Sequence, residues 1–263
     1  RLKVVRLQHV FRQAQESAII MNAHRINQGE EPVLNEEGTD FFFMRRAYAD
    51  EVAGTIRELV TKRLPRFTGC DGLQDMQILT PMRKGTLGVQ NLNQVLQQTL
   101  NPAAPDKREV QFRQITFREG DKVMQIKNNY QQEWKIYGAS KTGNGKGYVI
   151  DEGVGVFNGD MGVITEISDY DEELTILFDD GRESVYNYKE LDQLEHAFAV
   201  TIHKSQGSEY PAVIIPLLGG NRKLMNRNLI YTAITRARQL VIIVGDVNLV
   251  NQMIDNSEEQ KRY

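Results

Sequence analysis

Residues 197–210 read AFAVTIHKSQGSEY and join an apolar strand directly to a polar loop. The strand at 198–202 is followed within seven residues by five polar side chains: His203, Lys204, Ser205, Gln206 and Glu209. Gly207 allows a tight turn among them. Ligands of parallel α/β sheets bind beyond the carboxyl ends of the strands, and these side-chain types suit phosphate contacts. The stretch therefore predicts a ligand-binding loop at one edge of a sheet.

On both sides of this stretch, predicted strands alternate with predicted helices. The helices are expected at 10–28, 46–64, 87–100, 225–237 and 248–256. The strands are expected at 40–44, 76–80, 198–202, 212–217 and 240–244. Three consecutive phenylalanines at 41–43 predict a strand buried on both faces, and Pro65 is expected to end the second helix.

The middle of the chain has a different pattern, with short strands closely spaced between turns. Strands are expected at 123–126, 154–157, 162–167, 174–178 and 184–188. The DDG sequence at 179–181 predicts a hairpin, and residues 138–147 a mobile loop. The fold class is therefore α/β: a parallel sheet flanked by helices with an inserted small β-barrel. The predicted limits are 1–105 and 193–263 for the α/β part and 106–192 for the insertion.

The composition is that of a soluble globular protein. The chain has 263 residues, of which 40% are hydrophobic and 25% charged, and its mean hydropathy is −0.46. No apolar run approaches the roughly 20 residues that a membrane span requires, and the first residues have no secretory pattern. One cysteine, Cys70, excludes an internal disulfide and a cysteine-based zinc site. We expect a cytoplasmic protein without a membrane partner.

The formal net charge of −3 conceals two regions of opposite sign. Residues 166–195 hold eleven acidic and two basic residues, a net of −9, whereas 203–238 hold six basic residues and one acidic, a net of +5. Phosphate binding needs local positive potential rather than a positive total. The alternative is that both regions are simply solvated faces.

A phosphate-binding P-loop is absent from the sequence. That motif needs Gly-x-x-x-x-Gly-Lys before Ser or Thr, whereas Lys141-Thr142 and Lys204-Ser205 lack the preceding glycine. GNGKG at 143–147 is followed directly by YVIDE at 148–152. A βαβ unit needs about 30 residues, so these two segments are interpreted as a loop and a strand.

Three further segments are candidates for anion contacts. YTAITRAR at 231–238 is expected to be helical up to the following strand, with Arg236 and Arg238 facing in different directions. Arginine suits phosphate because its planar fork stays charged. FRQ at 11–13 opens the first predicted helix, and ILTPMRKGTLGVQNLN at 78–93 places Arg83 and Lys84 in a strand-to-helix turn. The alternatives are that YTAITRAR is simply a charged helix face and that 78–93 is an ordinary connection between a strand and a helix.

Together these segments resemble the second half of superfamily 1B DNA helicases of the RecD-like type. TIHKSQGSE resembles motif V, YTAITRAR motif VI, FRQ motif IV, and LTPMRKGTLGVQNLN the block after motif IV. GDKVMQIKNNY at 120–130 and VFNGDMGVI at 156–164 resemble the borders of the family's SH3-like insertion. The Walker A loop and the DExx box are missing. We therefore expect a C-terminal fragment that contains the second RecA-like domain, of the P-loop NTPase type without the P-loop, and its SH3-like barrel.

The resemblance implies half of an ATP site and one DNA-binding edge. Arg12 and Arg236 would act catalytically by contacting the γ-phosphate. The implied ATP-binding residues are Arg12, Gln13, Gln206, Gly207, Glu209 and Arg236. Among them, Glu209 would contact the ribose. The implied single-stranded DNA contacts are Thr201, His203, Lys204, Ser205, Arg83 and Lys84. No metal ligand is expected in this chain, because Mg²⁺ and the phosphates of ATP would be bound mainly by the N-terminal domain.

The partners implied by the resemblance are single-stranded DNA, the chain's own N-terminal RecA-like domain and other repair proteins. Translocation would run 5′ to 3′, the fragment alone would lack ATPase activity, and no nuclease site is expected. A RecD-like protein can act alone or as the subunit of a recombination nuclease. The alternative function is a non-catalytic module in which the barrel binds nucleic acid or protein.

Overall fold

The computed structural model describes residues 17–35, 39–68, 71–139, 147–220 and 224–257. Its α-helices are α1 (Ala18–Gln28), α2 (Ala49–Glu58), α3 (Leu64–Thr68), α4 (Val89–Leu100), α5 (Arg227–Ile234) and α6 (Val247–Asp255). Its strands are β1 (Phe41–Arg45), β2 (Met76–Thr80), β3 (Glu109–Phe112), β4 (Ile115–Arg118), β5 (Lys122–Gln125), β6 (Asn129–Tyr137), β7 (Val149–Val156), β8 (Met161–Ser168), β9 (Glu173–Phe178), β10 (Glu183–Asn187), β11 (Leu194–His196), β12 (Ala199–Thr201), β13 (Tyr210–Leu217) and β14 (Ala237–Gly245). None of the described helices combines the length and the apolar character needed to cross a membrane.

The first of two compact units comprises residues 1–89 and 200–263. Its sheet has the strand order β1-β14-β13-β2-β12, and β14 runs parallel to both β1 and β13, as β13 does to β2. The two central strands, β13 and β14, are almost wholly buried because they are rich in valine and isoleucine. The predicted parallel sheet flanked by helices is confirmed.

The strand of three phenylalanines differs from its prediction. Phe41 and Phe43 are 0% and 7% exposed, but Phe42 is 36% exposed, so β1 is buried on one face only. The reason is its position at the edge of the sheet, where alternate side chains leave the core. Phe42 lines an open cavity of about 740 Å³ together with Leu59 and Leu240.

Pro65 does not end the second helix, which continues to Thr68. Between α2 and α3 the chain forms a π-helical turn at Leu59–Arg63, and the Leu64 N–H donates to the Leu59 carbonyl. The turn places Pro65 in the first turn of α3, where the amide hydrogen that it lacks is not needed. The prediction failed because it assumed a regular α-helix, which a proline would end, whereas the chain forms a π-helical turn directly before Pro65.

The second compact unit comprises residues 90–199. Its antiparallel sheet has the order β11-β5-β8-β9-β10-β6-β7 and a core that includes Phe117, Ile176 and Tyr186. The hairpin expected at DDG joins β9 to β10. Residues 10–16 of the first predicted helix and residues 140–146 of the predicted loop lie outside the described residues. The units divide at 89/90 and 199/200, whereas the limits predicted from sequence, 105/106 and 192/193, remain predictions.

Candidate functional site

The loop after β12 is organised by a short 3₁₀ turn, Ile202–Ser205. Thr201 caps this turn, since its hydroxyl accepts a hydrogen bond from the Lys204 N–H at 3.4 Å. Ile202 is fully buried, whereas His203 is exposed and Lys204 half-buried. The turn therefore anchors one apolar side chain and directs the two neighbouring polar ones toward the surface.

Ser205 is placed differently from its neighbours. Its side chain is 0% exposed, and its hydroxyl donates to the Ile202 carbonyl at 2.7 Å. The DNA contact that the resemblance implied for Ser205 has no exposed atom to make it, so Ser205 stabilises the turn instead. The chain then reverses at Gly207, whose φ of +90° is a conformation that glycine adopts without strain.

Arg236 joins the end of α5 to this loop. Its Nε donates to the Thr232 carbonyl at 3.3 Å, and its terminal nitrogens donate to the Ser208 carbonyl at 3.1 Å and the Thr235 hydroxyl at 3.3 Å. The prediction that both arginines lie on a helix is wrong: α5 ends at Ile234, and Arg238 belongs to β14. Pairing with β13 extends β14 toward its amino end, with Tyr210 opposite Ala237.

Glu209 and Arg238 form an ion pair beside Arg236, with 2.8 Å between Oε2 and Nε. Their side chains are 51% and 64% exposed, so water screens the pair and its contribution to stability is at most about 1 kcal/mol. The Tyr210 N–H donates to the Arg236 carbonyl at 2.8 Å. These contacts bring Ser208, Glu209 and the two arginines together at the amino ends of β13 and β14.

The turn after β2 presents two further cations. Arg83 and Lys84 are exposed, and the Thr80 hydroxyl holds the turn by donating to the Leu87 carbonyl and accepting from the Met82 N–H. A side chain at Gly88 would lie 2.5 Å from the carbonyl carbon of Lys84, so only glycine fits there. The 3₁₀ turn of the motif V-like loop also contacts β2.

Some predicted site residues cannot be placed. Arg12 and Gln13, like the rest of FRQ, lie outside the described residues. Gln206 and Gly207 are exposed in the loop. Within the described ranges, no group of three or more His, Cys, Asp or Glu residues could hold a metal ion.

Sequence reasoning missed the role of Thr232 and Thr235 in holding Arg236. Thr232 contacts Arg236 through its backbone carbonyl, which no side-chain pattern specifies, and Thr235 directly precedes the arginine.

Two family models match this chain. Residues 92–178 match the SH3 domain of ATP-dependent RecD-like DNA helicases, and residues 196–244 match the UvrD-like helicase C-terminal domain. The second match spans the loop after β12, α5 and most of β14, which hold the residues that converge around Arg236.

Two curated relatives agree with the family models. The chain is 31% identical over 245 residues to the ATP-dependent RecD2 DNA helicase of Deinococcus radiodurans, covering 93% of this chain and 29% of that protein. It is 37% identical over 95 residues to the RecBCD enzyme subunit RecD of Mycolicibacterium smegmatis, covering 36% and 16%. A Bacteroides Pif1 helicase solved with ADP-AlF3 and single-stranded DNA aligns with a TM-score of 0.48 and 18% identity, over 97% of this chain and 54% of that one. The chain thus spans less than a third of the length of these two curated relatives.

Proposed function

Since this chain belongs to the RecD-like family of DNA helicases, we propose that it supplies the second motor domain of an ATP-dependent helicase that moves 5′ to 3′ on single-stranded DNA. Residues 1–105 and 193–263 would form the RecA-like domain, and residues 106–192 the SH3-like insertion. The observation that carries the proposal is the contact of the Arg236 guanidinium with Ser208, which joins the motif VI-like helix end to the motif V-like loop.

The geometry of Arg236 suits a phosphate contact. A guanidinium has five N–H donors; three are used by Thr232, Ser208 and Thr235, which leaves two of the five. Anchored in this way, the side chain loses little conformational entropy when it meets an anion. ATP with Mg²⁺, presented by the N-terminal domain, would supply a γ-phosphate whose developing charge Arg236 stabilises. We propose that Arg12 and Gln13 approach the same triphosphate.

Glu209 is proposed as the ribose contact. Its carboxylate is half-exposed and held by Arg238 through one oxygen, so the other oxygen can accept a hydroxyl hydrogen bond. Gln206 and Gly207 lie in the chain between Glu209 and the 3₁₀ turn. They would therefore couple the binding and hydrolysis of ATP to the residues of the turn that we propose to contact DNA.

The DNA side would consist of Thr201, His203 and Lys204 on the 3₁₀ turn and of Arg83 and Lys84 after β2. These residues offer cations and hydrogen-bond donors, which bind phosphates without reading the sequence of bases. Sequence-independent contacts are what a translocating motor requires, because every step presents different bases. Ser205 acts indirectly by fixing the turn.

The function is tested with the intact protein on DNA that carries a single-stranded tail. We expect ATP-dependent strand separation when the tail has a 5′ end and background separation when it has a 3′ end, measured as release of a fluorescent strand. The 263-residue chain by itself should hydrolyse no ATP above background. Unwinding from the 3′ tail, or no unwinding with either tail, would contradict the proposal.

A second prediction concerns the cations of the turn after β2. Replacing Arg83 and Lys84 together by alanine should weaken single-stranded DNA binding and lower the slope of log K against log salt by about 0.7 for each phosphate that the variant no longer neutralises. Fluorescence anisotropy at several salt concentrations measures the slope. Lys62→Ala, an exposed change on another segment, is the matched control and should leave the slope unaltered. An unchanged slope in the double variant would remove these residues from the DNA side.

A further inference from the structure

The last strand of the second unit's sheet, β7, has an open edge. In the order β11-β5-β8-β9-β10-β6-β7 it pairs only with β6 among the described strands. Natural edge strands are usually protected by charged side chains, especially lysine, by proline, by bulges or by short length. β7 has eight residues and contains neither lysine nor proline; its only charges are the adjacent Asp151 and Glu152, and its register with β6 is irregular next to them. Several of its apolar side chains are exposed, including Val149 at 43% and Val154 at 63%.

The charges of the neighbouring strands alternate in a row that ends at this edge. Glu183 of β10 lies opposite Lys135 of β6, and Lys135 lies opposite Glu152 of β7. Opposite charges directly across strands are favourable and like charges are not. The next residue in the row, on any strand added to β7, would therefore be basic.

The residues on either side of Glu152 on the same face are apolar. Val154, two residues from Glu152, lies on the same face, opposite Glu133. On the other side of Glu152 the register shifts, because Val149 rather than Ile150 lies opposite Tyr137. The two side chains at this irregularity, Val149 and Ile150, are both apolar and are 43% and 60% exposed. This face of β7 is thus apolar, acidic and apolar along the strand. A strand that complements it is apolar, basic and apolar.

The backbone at Glu152 also faces the open edge. Its N–H donates to the Asp151 carboxylate at 2.9 Å, and an N–H that reaches a side chain outside the ladder points away from β6. Because backbone groups alternate in direction along a strand, the N–H of Val154 points the same way. The Val154 N–H and the carbonyls of both residues are therefore placed to pair with an incoming strand, whereas the Glu152 N–H is held by Asp151 until that strand replaces the carboxylate.

We propose that the open edge of β7 binds an extended segment of another protein, which adds a strand to the sheet and places a basic residue opposite Glu152 between two apolar residues. A second copy of this chain fits less well, because two β7 edges would bring Glu152 and Asp151 toward the same acidic residues. Nucleic acid fits less well for the same reason, since these carboxylates repel phosphates. None of the proposed motor residues belongs to this edge, so the proposal does not depend on their assignment.

The probe is a fluorescein-labelled heptapeptide with lysine at its centre, valine two positions away on each side and threonine elsewhere. Anisotropy with the intact protein should show saturable binding of this peptide and about tenfold weaker binding of the same peptide with central glutamate. Glu152→Lys should reverse that preference. Val154→Pro removes the outward N–H and should abolish binding, whereas Val154→Thr retains the N–H and should bind.

Three results would overturn the proposal: equal affinity for the lysine and glutamate peptides, undiminished binding by Val154→Pro, or a preference unaltered in Glu152→Lys. A dimer in analytical ultracentrifugation that Val154→Pro converts to monomer would also overturn it, because the edge would then pair with itself. The Glu152→Lys arm leaves the backbone intact, so the test remains decisive even where the proline variant folds poorly.

Discussion

Replacing Arg236 by alanine in the intact protein should lower kcat for DNA-stimulated ATP hydrolysis by at least about 10³-fold, the usual contribution of an arginine supplied to a transferring phosphoryl group. The expected loss is large because the two free N–H donors of Arg236 would act on charge that develops only in the transition state. Steady-state phosphate release at saturating single-stranded DNA measures it. Affinity for DNA, measured without nucleotide, should change less than about twofold.

Two further variants test whether the loss of activity comes from the phosphate contact itself, rather than from the loss of a positive charge or from a change in the neighbouring contacts. Arg236→Lys keeps the charge but loses the planar fork, so most of the activity should still be lost. Arg238→Ala removes a neighbouring arginine that pairs with Glu209; it should raise KM for ATP with a much smaller effect on kcat. A kcat for Arg236→Ala close to that of the unaltered protein would contradict the phosphate assignment.

The sequence predicted the sheet well because its strands carry a strong signal. The runs in β13 and β14 are apolar over most of their length, as expected of strands buried on both faces. The edge strand β1 carries a similar run, yet Phe42 is exposed, because residue type does not reveal a strand's position in the sheet. The strand β6 was not predicted, because its apolar alternation at Tyr130, Trp134 and Ile136 is interrupted by Gln132, a polar residue that the structure buries.

The candidate site was predicted at the level of motifs and only partly at the level of contacts. The two motif-like segments do meet, through the contact between Arg236 and Ser208. Ser205 was misplaced because a hydroxyl suits both a phosphate and a backbone carbonyl, and the sequence cannot distinguish these partners. The contact with Ser208 is made to a backbone carbonyl, which no side-chain pattern specifies.

The polar centre of the second unit was also missed by sequence reasoning. Asp121 is 0% exposed, and its carboxylate accepts four hydrogen bonds. The donors are Gln97 Nε2 at 2.6 Å, Asn101 Nδ2 at 2.7 Å, the Arg118 backbone N–H at 2.8 Å and His196 Nε2 at 3.0 Å. They come from the α4 region, β4 and β11, which are separated along the chain. One buried carboxylate therefore fixes three elements of the unit.

Asp121→Ala should destabilise the second unit by about 3–5 kcal/mol, because it removes a fully buried carboxylate that accepts four hydrogen bonds. Gln97 and Asn101 keep one backbone acceptor each, but the Arg118 N–H loses the only acceptor named above. The chain's single tryptophan, Trp134, lies in β6 of the same unit, so its fluorescence during urea unfolding of the 263-residue chain reports this loss. Asp106→Ala makes the same change at an exposed position and should alter stability by at most about 0.5 kcal/mol. Equal midpoints for the two variants would mean that the donors find water instead, and that the three elements are held together by their apolar contacts.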